Sequence, residues 1–211
     1  GELLDKDGNK FKFTTQEDYE RLSTYVYEYI YLQLVNKYQM NRVYFNKRNS
    51  KIIEEDSNDA DPNVLFLSKD YEKKDRVLVI IQGTGQVRAG QWARSLCINK
   101  SLESGTCFNY IEKAYALNWG VVILNPNVGT SAENHTVFAY DNLIKDKIQG
   151  DFVIVAHSYG GISTLHLLAE RQNFSRSNGV VEDEGILSRL KAVAFTDSVH
   201  GRLRKNTKKY N

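Results

Sequence analysis

Two hydrophobic patterns divide the chain. Over residues 16–39 the apolar positions Leu22, Val26, Ile30 and Leu34 recur every fourth residue, with Tyr19 and Tyr29 beside them. That spacing marks one face of a long helix, and Thr15 stands where an N-cap belongs. The tyrosines at 25, 27, 29 and 31 alternate as a strand would. The longer helical repeat overrides them, and the cluster reads as a packing surface. From residue 76 onward the pattern changes to short unbroken apolar runs: Arg76 to Ile81, Val121 to Leu124, Phe152 to Val155 and Ala192 to Phe195. Runs without alternation are strands buried on both faces. Alternating with helix-length stretches at 89–118, 138–148 and 160–171, they predict a parallel sheet covered on both sides. Residues 2–13 read as an extended entry with a turn at Asp5-Lys6-Asp7-Gly8-Asn9. Val43 to Phe45 and Val64 to Leu67 are two more short strands, separated by a polar loop over 46–63. A polar linker over 172–185 leads through a short helix to the last run. The expected organisation is an N-terminal extension (1–75) packed on a core (76–200), followed by a basic tail (201–211).

The third run stops abruptly at Ala156-His157-Ser158-Tyr159-Gly160-Gly161, and helix-compatible sequence starts at once. Strand, tight turn with serine at its apex, then helix is the layout of the nucleophile elbow of α/β-hydrolases. Here Ala156 replaces the first glycine of G-x-S-x-G. The fold class expected is therefore α/β-hydrolase-like: a mostly parallel sheet, helices on both faces and a helical N-terminal extension. Ser158 is the candidate nucleophile; the plainer reading is a serine that caps its helix. In such sheets functional residues gather just past the C-terminal strand ends. Those ends deliver Gln82-Gly83-Thr84-Gly85, Asn125-Pro126-Asn127, His157-Ser158-Tyr159 and Thr196-Asp197-Ser198. The turn after the first regular strand and the residue after the nucleophile supply an oxyanion hole, so Thr84 and Tyr159 are the candidate backbone N–H donors. Gly83 and Gly85 do not make a nucleotide-binding turn, because the third glycine of that fingerprint is absent.

Asp197 is the candidate acid, or an N-cap for the segment after it. His200 is the sole histidine beyond it and the weak candidate for the base, since one turn shared with Asp197 is awkward for an imidazole that must lie between acid and serine. His157 is expected to project away from the site, and His166 to pack in its helix. The residues after Asp197 are basic and polar, so the expectation is an incomplete triad with the late strands of the fold missing.

Composition narrows the partners more than the fold. A hydrophobic fraction of 41% with 26% charged residues is that of an ordinary globular protein. The net charge of +2 argues against a polyanion-binding surface over the whole chain. Basic residues do bunch at 202–209, either to touch RNA or an acidic partner or simply as a solvated tail. Two cysteines, Cys97 and Cys107, cannot build a disulfide framework, and the four histidines are scattered. No metal and no cofactor are expected. No apolar run is long enough to cross a membrane and no signal pattern follows Gly1, which points to a reducing, intracellular compartment.

Larger blocks carry a family resemblance. Arg88-Ala89-Gly90-Gln91-Trp92-Ala93-Arg94, Ser104-Gly105-Thr106 and Gly120-Val121-Val122-Ile123-Leu124-Asn125-Pro126-Asn127 resemble the Arb-two (Argonaute-binding protein two) domain. Ala156 to Gly161 and Thr196-Asp197-Ser198-Val199-His200 continue it in the same order. The cotranscriptional-regulator branch is similar through the helix-rich region before residue 75 as well, and related domains are appended to some class II histone deacetylases. The resemblance implies an α/β-hydrolase-like fold and an intracellular, often nuclear, location. It also implies links to Argonaute proteins, small-RNA silencing, chromatin and splicing, and a serine nucleophile at Ser158 without an established substrate. Members of that family run on from the Thr-Asp-Ser-Val-His block into a further histidine-bearing segment, where this chain has Gly201 to Asn211. The function expected is a scaffold or interaction component of a larger assembly. An active serine hydrolase on an ester, thioester or amide is the alternative, and RNA contact through 202–209 a third.

Overall fold

The computed structural model describes residues 2–45, 52–53, 63–128, 131–177 and 185–199. Helix α1 covers Gln16–Asn36, and Thr15 caps it by accepting the Asp18 N–H at 3.1 Å. It ends three residues short of the periodic stretch because Gln39 takes a left-handed backbone, φ 53°, that turns the chain into the sheet. The strands are β1 (Asn41–Phe45), β2 (Ile52–Ile53), β3 (Val64–Leu67), β4 (Arg76–Ile81), β5 (Gly120–Ile123), β6 (Asp151–His157) and β7 (Leu190–Thr196). Between and after them lie α2 (Arg94–Asn99), α3 (Leu102–Gly105), α4 (Phe108–Ala116), α5 (Ala132–Leu143), α6 (Gly160–Ser177) and α7 (Gly185–Arg189).

All seven strands form one sheet in the order β2-β1-β3-β5-β4-β6-β7. The half made of β5, β4, β6 and β7 is parallel, as the apolar runs require. The other half is antiparallel: β1 pairs with β2 and β3, and β3 joins the parallel half by running against β5. Residues before Arg76 thus extend the same sheet. Alternation inside each strand splits the core in two. Leu65, Val77, Val79, Ile81, Val122, Phe152 and Ile154 face α5 and α6 through Phe138, Leu143 and Leu167. Phe66, Leu78, Ile80, Val121, Ile123 and Val155 face the other layer, where Ile30 and Leu34 of α1, Ile98 of α2 and Ile111 of α4 cover them. The edge strand β7 is less enclosed, with Ala192, Ala194 and Phe195 exposed.

Several boundaries differ from the sequence reading. The stretch 89–118 breaks into three helices, because Ser101 starts a new one by accepting the Ser104 N–H at 3.1 Å. Helix α5 begins six residues early. Its cap is Ser131, and its first turn is too polar to show in hydrophobic spacing. Helix α6 runs on to Ser177, inside the expected linker, and β2 lies inside the expected loop. His200, the tail 201–211 and most of 46–63 lie outside the described residues. No described helix is long and apolar enough to cross a membrane.

Candidate functional site

The elbow forms where β6 ends. His157 pairs with Thr196 of β7, and Ser158 then turns into the left-handed region at φ 52°, a conformation that costs a non-glycine residue free energy. The turn is held from outside. The Ser158 N–H donates to the Thr196 carbonyl at 3.1 Å. The Ser158 carbonyl accepts from the Gly161 and Val199 N–H groups at 3.2 and 3.0 Å, and from Ser198 Oγ at 3.2 Å. Gly160 is needed because a Cβ there would lie 2.5 Å from the Ile81 carbonyl oxygen of β4. Gly83 is needed for the same kind of reason: its Cβ would sit 2.8 Å from Ser158 Cβ and 3.1 Å from Oγ. The turn after β4 therefore passes directly against the serine.

Two asparagines at the end of β5 fix that turn. Asn127 Oδ1 accepts the Gly85 N–H at 3.0 Å, while its Nδ2 donates to the Gly83 and Val87 carbonyls at 2.7 and 3.0 Å. Asn125 is buried; its Oδ1 accepts from the Ala89 N–H at 3.1 Å and from Gln82 Nε2 at 3.4 Å, and its Nδ2 donates to the Tyr31 hydroxyl of α1. The Asn125 N–H donates to His135 Nε2 at 3.1 Å, which needs a neutral ring. Burial alone keeps it neutral, lowering the His135 pKa to about 3. Neither the Thr84 nor the Tyr159 N–H donates to a described residue. The Tyr159 side chain turns elsewhere: its hydroxyl donates to Glu133 Oε1 at 2.6 Å, which raises the phenol pKa and holds the carboxyl below its ordinary value.

Above Ser158 lies a cavity of 420 Å³ walled by Tyr19, Gly83, Thr84, Gln86, Val87, Trp92, Ala93, Arg94, Ser95, His157 and Asp197. Of the residues singled out from sequence, Ser158, Thr84 and Asp197 meet in it. Asp197 is exposed, at φ 45°, and makes no ion pair with a described residue. The expectation for His157 is corrected: it lines the cavity. Its ring packs 5.4 Å from Trp92 and its Nδ1 lies 3.2 Å from Thr196 Oγ1, contacts that turn the imidazole toward the strand end rather than away. Ser158 Oγ has no hydrogen bond to a described residue. Among the described residues no cluster of His, Cys, Asp or Glu could hold a metal ion. Sequence reading missed Asn127, Asn125 and His135 as supports; the one signal was a pair of asparagines around Pro126 at a strand end.

Antiparallel β3 beside a parallel β5-β4-β6-β7 set, a serine elbow after β6 and a glycine turn over it after β4 define an α/β-hydrolase-like protein. The family model of the Arb2 domain matches residues 3–130, and the chain belongs to that family. It is 31% identical over 95% of its length to a Cotranscriptional regulator ARB2A homolog of Dictyostelium discoideum, covering 58% of that protein. With the human Cotranscriptional regulator ARB2A it shares 26% identity over 92% of the chain and 60% of the relative. The chain thus spans less than two thirds of the curated relatives it matches. Among solved structures it is similar to the histone deacetylase Clr3, at 13% identity and a TM-score of 0.43, covering 89% of this chain and 27% of that one. A likeness that loose carries no argument.

Proposed function

We propose that this chain is an interaction component of a regulator that acts alongside transcription, built on a hydrolase-like fold. The observation that carries the reading is 31% identity across 95% of the chain to a relative named as a cotranscriptional regulator. Surface supports it: Tyr25, Tyr29 and Leu32 stand 62%, 49% and 50% exposed along one side of α1, more apolar area than a helix facing only water needs. On this reading the protein works in the nucleus, and its partners are proteins of the Argonaute or chromatin machinery. Affinity-tagged protein expressed in its own cells should fractionate with nuclei and co-purify reciprocally with an Argonaute or a chromatin protein. Exclusion from nuclei, or failure to co-purify with either class, overturns the reading.

A second reading is a serine hydrolase acting on an ester, thioester or amide. What favours it is Ser158, held at φ 52° on the floor of a 420 Å³ cavity beside two N–H groups without described acceptors. An activated serine reacts with a fluorophosphonate. Labelling that disappears in Ser158→Ala supports hydrolase chemistry; absent labelling, or labelling that survives the substitution, removes it.

A further inference from the structure

The cavity above Ser158 has three chemically distinct walls. Ser158 and Thr84 lie together on the lining, and the Thr84 N–H, which donates to no described residue, is a place for a carbonyl oxygen. One side is aromatic: Trp92 lies 5.4 Å from His157 and 5.4 Å from Tyr110. The lining also carries Arg94, whose guanidinium sits 4.7 Å from the centre of the Tyr19 ring and donates to Gln86 Oε1 at 3.0 Å.

Arg94 is half-buried and makes no ion pair with a described carboxylate. A guanidinium has five N–H donors in a flat fork, and one hydrogen bond to a neutral amide leaves most of them free. Contact with the Tyr19 face and the bond to Gln86 fix the plane of the group, so its ordering cost is met before any ligand arrives. The other charged side chain on the lining is Asp197, and the two do not pair. With one cation and one anion on the lining, a dianion such as a phosphate ester is disfavoured. A single planar carboxylate matches the free edge of the fork.

We infer that this cavity binds a small acyl compound that also carries a carboxylate, the carbonyl on the Thr84 N–H beside Ser158 and the carboxylate on Arg94. The inference rests on reading the Ser158 cavity as a ligand site and does not require turnover. A volume of 420 Å³ lies within the range of small-molecule sites. Trp92 and Tyr19 would flank the methylene chain between the two polar ends.

Calorimetric binding of two probes tests it: the mono-propylamide of glutaric acid, and N-propylpentanamide, which keeps the amide and lacks the charge. The wild-type protein should prefer the acid by about tenfold or more, the value of one charge-assisted pair. Arg94→Gln should erase that preference with the melting temperature unchanged. Ser158→Ala should keep the preference, whether or not fluorophosphonate labels the wild type, so the hydrolase reading can fail while this one stands. Equal binding of the two probes, no binding of either, or a preference that survives Arg94→Gln overturns it. The probe comparison on unmodified protein decides the matter even if the Arg94 variant does not fold.

Discussion

Asn125 joins three separated pieces of chain through one carboxamide and one backbone N–H: the loop at Ala89, Tyr31 on α1 and the ring of His135. Replacing it with alanine strands the buried Ala89 N–H and takes a donor away from the Tyr31 hydroxyl. Asn125→Ala should cost roughly 3 kcal/mol in denaturant unfolding, since a stranded buried group costs about 1–3 kcal/mol and the lost bond to Tyr31 adds to it. Gly83→Ala puts a methyl against Ser158 and should cost roughly 1–3 kcal/mol by overpacking. If fluorophosphonate labels the wild type, that labelling should fall further than stability does. His135 sets a pH dependence. Folded, its pKa is about 3 against a reference of 6.5, so between those values the unfolded chain binds the extra proton. Stability from this group is therefore complete above pH 6.5 and declines as pH falls toward 3. Glu133 acts in the same direction at lower pH, because its folded pKa is depressed by the Tyr159 hydrogen bond. His135→Gln retains an acceptor without the titration, and urea unfolding across this window should show a flatter slope than wild type.

At the level of elements, α1 shows how burial divides a single helix. Leu34 is fully buried against the sheet, whereas Leu32 on the outer side is half exposed. Leu34→Ala should destabilise by about 2–5 kcal/mol. Leu32→Ala should stay within about 0.5 kcal/mol, and thermal melts of the two variants compare them directly. The elements that were legible in the chain are those whose burial leaves a periodic trace. The four-residue repeat gave α1, and the unbroken run Arg76 to Ile81 has the bounds of β4. Strand β2 left no trace because two residues carry no period. The start of α5 was hidden because Ser131 and a polar first turn precede its first large apolar residue. The same division runs through the site. Ser158, Thr84 and Asp197 were legible because each follows a strand end. The bracing by Asn125, Asn127 and His135 depends on β5 lying beside β4, and strand order is not written in local spacing.

For the whole molecule, two layers close on one sheet and leave little reactive surface inside. Cys97 and Cys107 are buried and free, and burial pushes both thiols up to about 12. At neutral pH neither presents a thiolate. Iodoacetamide should leave the native protein unmodified and add two carbamidomethyl groups once urea opens the core, which mass spectrometry counts. The antiparallel and parallel halves also share a seam. Along it Phe66 of β3 pairs with Ile123 of β5, and β4 lies beyond β5 although it precedes it in the chain. Synthesis runs the other way. When β3 leaves the ribosome its neighbour on that side does not yet exist, and Val26, Ile30 and Leu34 of α1 have only half a surface to settle on. The arrival of β5 supplies the strand against which β3, and through it β1, is held in the sheet.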